Sequence, residues 1–283
     1  RILKDVDPRA VTGRAALAAL PVTRKSSLIE LQKDKPPFAG LAAAKAGDLA
    51  RVFLSPGPIF DPEGRRPDWW RLARALYAAG FRRGDLVLNC FSYHLTPAGS
   101  MLETGAHALR CAVIPGGVGN TESQVQAIQG LRPRCFTGTP SFLKIVLDKA
   151  AELGADVSSL ARALVSAEAL PASLRAEFNA RGVRTLQCYA SADLGLIAYE
   201  SEAQEGMIVD EALIVEIVRP GTGDPVQEGE VGELVATSFN PDYPLVRFAT
   251  GDLSAVLPGP SPCGRTNLRI KGWMGRADQT TKV

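Results

Sequence analysis

Three acidic residues, Glu168, Asp193 and Asp252, fall at the ends of regular elements, where carboxylates can hold a metal ion or the hydroxyls of a sugar. Glu168 closes Ser166-Ala167-Glu168 after the run Arg162–Val165. Asp193 follows Thr185–Tyr189, and Asp252 ends Ala249-Thr250-Gly251-Asp252. Helix caps and solvated turns use the same residue types, so each acid taken alone fits a structural role at least as well. His94 follows Tyr93 just past the run Leu86–Cys90. It could orient or deprotonate a substrate group, although a loop histidine with satisfied hydrogen bonds is the plainer reading. The turn Gly116-Gly117-Val118-Gly119-Asn120 offers backbone N–H groups at a helix start, which favour anions. Glu122 stands where a dinucleotide fingerprint needs its third glycine, and no GxxxxGK[ST] loop exists, so this turn is expected chiefly to line a pocket. The absence of G-x-S-x-G argues against a serine hydrolase.

The elements that must position these residues alternate. Trp69, Leu72, Ala73 and Leu76 share a helical face between Pro67 and Gly80. Strands are expected at Leu86–Cys90, Cys111–Ile114, Cys135–Thr137, Arg162–Val165 and Thr185–Tyr189. Between them lie helices near Pro97–Ala108, Thr121–Gly130, Ser141–Leu153 and Pro171–Arg181, with Thr121 and Gln124 reading as a capping box. Such alternation predicts βαβ units and an α/β fold with a largely parallel sheet. Leu213–Val218 and Glu233–Ser238, separated by Gly221-Thr222-Gly223-Asp224, predict antiparallel strands of a β-rich region. The first 65 residues, broken by Pro8, Pro21, Pro36, Pro37, Pro56, Pro58 and Pro62, read as a wrapping segment with short helices near Arg14–Leu20 and Ser26–Lys33.

Composition narrows the class. With 283 residues and 46% apolar content the chain can bury a sizeable core. A net charge of +2 gives no electrostatic footprint for nucleic acid. The five cysteines are widely spaced, with no C-x-x-C, which suits free thiols in a reducing cytoplasm. Leu86–Leu102 is uncharged, but Asn89, Ser92, His94, Thr96 and Pro97 make it a poor membrane span, and the charged start is not a signal peptide.

Tyr93-His94-Leu95-Thr96-Pro97-Ala98-Gly99, Gly138-Thr139-Pro140, Ser166-Ala167-Glu168-Ala169-Leu170-Pro171, Tyr189–Gly195, Thr250-Gly251-Asp252, Pro262-Cys263-Gly264-Arg265-Thr266 and Gly275-Arg276-Ala277-Asp278 occur in that order. Each is weak alone. Together they resemble the phenylacetate-CoA ligase family of AMP-binding, adenylate-forming enzymes, over essentially the whole chain. The resemblance implies mixed, largely parallel sheets flanked by helices, then a β-rich subdomain. Its segments would be a wrapping segment (1–65), a nucleotide- and acyl-binding core (66–200), the β-rich subdomain (201–275) and a hinge (276–283) to a smaller domain that these residues do not contain.

It also implies the chemistry: MgATP converts an aromatic or other hydrophobic carboxylate to an acyl-adenylate, and coenzyme A then displaces AMP. Charge neutralisation and positioning dominate such a reaction between anions. By resemblance Ser166, Ala167 and Glu168 run along the adenine and Tyr189 stacks on it, with Ala190 and Ser191 also in the AMP- and ATP-binding set. Asp193 helps hold magnesium, Asp252 binds the ribose hydroxyls, Arg276 lies near ribose and phosphate, and Asp278 is the hinge. Tyr93, His94, Pro97, Gly116 and Gly117 line the acyl pocket. No membrane or nucleic-acid partner is implied, and the oligomeric state is open, a homodimer included.

The departures define an alternative. The place of the phosphate loop reads Leu54-Ser55-Pro56-Gly57-Pro58-Ile59-Phe60, with one hydroxyl, no lysine and two prolines that lack N–H donors. Ala192 lacks the hydroxyl expected near the α-phosphate, and Asp193 replaces a longer glutamate. A nucleotide- or acyl-binding protein that has lost adenylation would carry such changes. Relatives with a structural zinc use cysteine and histidine in the β-rich region. Cys263 is the only cysteine after Cys188 and no histidine follows His107, so no zinc is expected.

Overall fold

The computed structural model describes residues 3–279. The N-terminal stretch carries α1 (Arg14–Ala18), β1 (Thr23–Arg24) and α2 (Leu28–Asp34), then a hairpin of β2 (Arg51–Ser55) and β3 (Ile59–Glu63). The α/β run follows as α3 (Ala73–Ala78), β4 (Leu86–Asn89), α4 (Ala98–Ala108), β5 (Ala112–Pro115), α5 (Thr121–Leu131), β6 (Cys135–Gly138), α6 (Pro140–Glu152), β7 (Arg162–Val165), α7 (Ala172–Ala180) and β8 (Arg184–Ser191). The remainder is β9 (Gly195–Tyr199), β10 (Met207–Val209), β11 (Leu213–Val218), β12 (Gly232–Ser238), β13 (Phe248–Ser254), β14 (Val256–Leu257) and β15 (Arg269–Ile270).

Two sheets result. The larger has nine strands in the order β14-β15-β10-β9-β8-β7-β6-β4-β5. From β5 to β8 it is parallel, because each strand returns through a helix. At β8 it turns antiparallel. The smaller sheet runs β1-β13-β12-β11, and its outer strand β1 comes from the N-terminal stretch, parallel to β13. The mixed α/β architecture read from the sequence is therefore present, with β10, β14 and β15 extending the large sheet. Among the described residues, no helix is long and apolar enough to cross a membrane.

Two local expectations need correction. The helix expected from Trp69 begins only at Ala73, because Asp68 and Arg71 take left-handed backbone angles, with φ of 48° and 66°. The freed turn lets both indoles enter the core, Trp69 edge-on to Trp70 at 4.4 Å, while the Asp68 carboxylate accepts from Ala73 N at 3.2 Å. The expected capping box also fails to form. Asn120, in the left-handed region, precedes α5 without a side-chain cap, and Gln124 is buried and used elsewhere.

Candidate functional site

The carboxyl ends of adjacent parallel strands collect much of what the sequence singled out. Hydrophobic strands β6, β7 and β8 place Gly138, Val165 and Tyr189 at one rim of the sheet, the side where open α/β sheets bind ligands. Past β7, Ser166 continues the ladder through its N–H to Gly138 O (3.2 Å) and donates its hydroxyl to Cys188 O (2.8 Å). That tie holds the 166–168 segment against β8. Ala167 turns the chain with φ of 69°. Glu168 then accepts from Ser141 N (3.1 Å) and Ser141 Oγ (2.9 Å), at the start of α6, where a carboxylate is favoured.

Beyond Tyr189, β8 carries a bulge before Ala190. The Tyr189 hydroxyl donates to Asp252 Oδ2 at 2.7 Å, linking the large sheet to β13 of the small one. Burial, then the neighbouring Asp252 charge, push this phenol well above its usual range. Asp252 Oδ1 accepts from Trp273 Nε1 and from Arg276 Nη1, both at 3.2 Å. Gly251 permits this: with φ of 78°, it has no Cβ where one would lie 2.7 Å from Arg276 Nη2. Arg276 also reaches Thr250 O (3.2 Å) and Asp278 (3.3 Å).

A cavity of about 650 Å³ joins these parts, walled by 166–170 on one side, Gln187–Ala190 on another, and Asp252, Lys271 and Trp273. Its volume lies in the range of small-molecule sites. Ser166, Ala167, Glu168, Tyr189, Ala190 and Asp252 thus share one space. Ser191 is not on that wall; it is half-buried and its hydroxyl accepts from Leu194 N at 3.1 Å. A second cavity, of about 520 Å³, takes in Arg24, Lys25, Pro56, Gly57, Arg276 and Asp278. The Asp252–Arg276 ion pair links the walls of the two spaces, with Asp252 on one and Arg276 on the other. The stretch expected in place of a phosphate loop is the β2–β3 hairpin, with Ser55 paired to Ile59 and Pro56-Gly57-Pro58 as its turn. Only Gly57 in that turn has an N–H to offer.

Asp193 lies apart from both spaces. Its side chain is 0% exposed, Oδ2 takes Lys25 Nζ at 2.5 Å, and Oδ1 has no hydrogen-bond partner. Asp61 on β3 is equally buried, with both oxygens unpartnered. Burial and the Asp193 charge push the Asp61 carboxyl up to about 7, against the Ser55 hydroxyl and Lys25. The buried Tyr243 hydroxyl lies close enough to both acids for their charges to raise it further. Magnesium takes near-octahedral oxygen ligands and usually keeps several waters. A sealed carboxylate already neutralised by an ammonium does not fit it, so Asp193 as arranged is not presented to a metal. Among the described residues there is no group of three or more His, Cys, Asp or Glu side chains suited to a metal ion.

The residues set out for an acyl pocket gather around one that the sequence reading missed, Asn89 at the end of β4. Asn89 Nδ2 donates to Tyr93 Oη (2.7 Å) and Gly99 O (2.8 Å), Oδ1 accepts from Thr137, and its carbonyl accepts from Gly117 N (3.0 Å). The Tyr93 hydroxyl in turn donates to Glu103 Oε2 at 2.7 Å, and burial and that acid raise its pKa. Pro97 is buried at the head of α4, and His94 is exposed beside Leu95, whose carbonyl accepts from Leu54 N (2.9 Å). Gln124 Nε2 clamps Gly116 O (3.1 Å) and Gly117 O (2.8 Å). None of these residues borders either cavity described above. Lys25, Asn89 and Trp273 carried no motif signal, and the one that Gln124 carried, a capping box, pointed elsewhere, because their partners are distant in sequence or are backbone atoms.

Comparison with known proteins gives a consistent result. The family described as AMP-binding enzyme matches residues 92–240. Phenylacetate-coenzyme A ligase of Thermus thermophilus is 33% identical over 96% of this chain, and that of Escherichia coli K12 is 30% identical over 93%. The chain spans 64% and 62% of the length of those relatives. Among solved structures, an open conformation of 2-hydroxyisobutyryl-CoA ligase in complex with 2-HIB-AMP and CoA matches 99% of this chain and 69% of its own, with a TM-score of 0.90 and 25% identity. An anthranilate CoA ligase in complex with anthranoyl-AMP shares the fold at a TM-score of 0.66 and 19% identity.

Proposed function

The chain belongs to the AMP-binding enzyme family, and from that membership we propose that it activates a carboxylic acid as an acyl-adenylate and transfers the acyl group to the thiol of coenzyme A, like a phenylacetate-CoA ligase. The observation that carries this reading is the single cavity of about 650 Å³ on which Tyr189, the 166–170 strip and Asp252 converge. In the first step a carboxylate oxygen bonds to the α-phosphorus of ATP and pyrophosphate departs. In the second the thiol sulfur bonds to the acyl carbon, its proton passes to solvent, and AMP leaves with the electron pair of the broken C–O bond. Magnesium enters as part of the MgATP substrate.

This chain's own contribution is binding and positioning. The 166–170 strip and the Tyr189 ring would hold the adenine, and Asp252 the ribose hydroxyls. Asp252 already accepts three hydrogen bonds, from Tyr189, Trp273 and Arg276. A carboxylate offers about four lone-pair sites, so gripping two hydroxyls requires one donor to move. Trp273, 50% exposed, is the freer of the ring donors. Arg276 and Asp278 would form the pivot toward a smaller domain. Tyr93 and the Gly116-Gly117 turn, held by Asn89, together with the buried Pro97, would line the site of an aromatic or hydrophobic acid. The five free thiols suit a reducing compartment such as the cytoplasm.

The test is carboxylate-dependent exchange of pyrophosphate into ATP over a panel of aryl and alkyl acids, alongside AMP titration followed by tryptophan emission. Exchange with an aryl acid is expected. The emission change on AMP should vanish in Trp273→Phe, since Trp69 and Trp70 are buried. AMP binding with no exchange across the panel would show that adenylation has been lost, and absence of AMP binding would remove the nucleotide reading itself.

A further inference from the structure

Lys25, Asp193 and Asp61 form a closed electrostatic unit next to the second cavity. The two carboxylates are buried, at 4% and 0% residue exposure, and share one ammonium. Three of their four oxygens have no hydrogen-bond partner, and among the described residues Lys25 is the one cation paired with either acid, at 2.5 Å from Asp193. Isolated buried carboxylates are very costly, so this ammonium cannot leave without a replacement cation or a protonation. Lys25 itself is 28% exposed and borders the 520 Å³ cavity together with Arg24, Gly57 and Arg276. It therefore shows one side to the acids and the other to a space that anions can enter.

The other cations on that cavity are engaged with acids: Arg24 with Glu233 at 2.9 Å, and Arg276 with Asp252 and Asp278. The hairpin turn beside them offers one N–H. The protein's own share in neutralising a polyphosphate here must come from a side chain already in place.

Resting on the nucleotide reading above, we infer that Lys25, fixed by Asp193, is the resident cation at the phosphate end of this site, standing where a divalent metal would otherwise be held by the protein. ATP binding then depends on Lys25 and not on magnesium bound through Asp193.

The experiment is calorimetric titration of the whole chain with adenosine, AMP and ATP, in EDTA and again with magnesium, together with water-proton relaxation in Mn²⁺ without nucleotide. ATP affinity is expected to change by less than about threefold between EDTA and magnesium. No Mn²⁺ site should appear in the absence of nucleotide. Lys25→Met alone strands two buried acids and threatens folding, so the pair-neutral Lys25→Met with Asp193→Asn is the working variant, checked by circular dichroism. It should bind adenosine as before and lose about tenfold or more in ATP affinity, the worth of one charged hydrogen bond. Adenosine and AMP binding combined with a magnesium requirement above tenfold, or a Mn²⁺ site on the free protein, overturns the inference and leaves the nucleotide reading intact. Unchanged ATP affinity in the folded double variant overturns it as well. If no adenine compound binds, both fall together.

Discussion

Asp68 and Asp252 are both acids with structural partners, yet their environments ask different things of them. Asp252 holds the junction of two sheets through Tyr189, Trp273 and Arg276, which keeps it in place on the cavity wall. Asp68 accepts from Ala73 N at the head of α3, but burial pushes its carboxyl up to about 6, with Arg71 opposing and Asp210 adding to the shift. Because the folded value lies above the unfolded one near 3.9, the native state binds more protons between about pH 4 and pH 6. Stability contributed by Asp68 is therefore largest in acid and is lost as pH rises through its folded pKa. Asp68→Asn keeps a side chain that caps helices and tolerates the left-handed angle. We expect it to flatten the stability profile between pH 4 and 6 and to gain at most about 3 kcal/mol at pH 7. Urea unfolding at several pH values measures this, and a profile unchanged from the parent would contradict it.

At the scale of elements, periodicity made most of the α/β run legible. Strands such as Arg162–Val165 and helices such as α6, with Thr139 accepting from Phe142 N and Pro140 in the first turn, announce themselves through short-range rules. The 166–168 segment and Tyr189 were singled out by resemblance, and the structure gathers them on one cavity. What escaped was set by contacts remote in sequence. Lys25 and Asp193 are 168 positions apart, and nothing local marks either as half of a pair. Gln124 looked like a capping residue because its spacing from Thr121 is right, but burial gave its amide to the Gly116 and Gly117 carbonyls. Gln124→Ala should therefore not fray α5. It should release the glycine turn, costing about 1–3 kcal/mol in urea unfolding, and raise the KM for the acid more than that for ATP. Equal effects on both KM values would argue against a place for this turn in the acid site.

The N-terminal stretch is built into the molecule by a buried arginine. Arg247, with a side chain 2% exposed, donates to Ala18 O (2.6 Å), Leu20 O (2.5 Å), Gly223 O (2.7 Å) and Glu216 Oε2 (3.1 Å). One guanidinium thus joins the end of α1, the turn after β11 and β11 itself, next to the point where β1 adds to β13. Its planar fork suits several carbonyls at fixed angles, which a lysine cannot match. The same stretch delivers Lys25 to Asp193 and Arg24 to Glu233, so loosening it should disturb the second cavity from a distance. Arg247→Ala leaves the Glu216 carboxylate buried without its cation and should cost about 3–5 kcal/mol. Arg247→Met combined with Glu216→Gln removes the stranded charge and should recover part of that loss. Two measurements separate packing from charge: the urea midpoint, and the rate at which protease cleaves before Thr23. If anchoring is the arginine's main role, both variants are cut faster there than the parent while only the single variant shows the full drop in midpoint. Cleavage as slow as in the parent would mean that β1 and the Arg24–Glu233 pair hold the stretch without it.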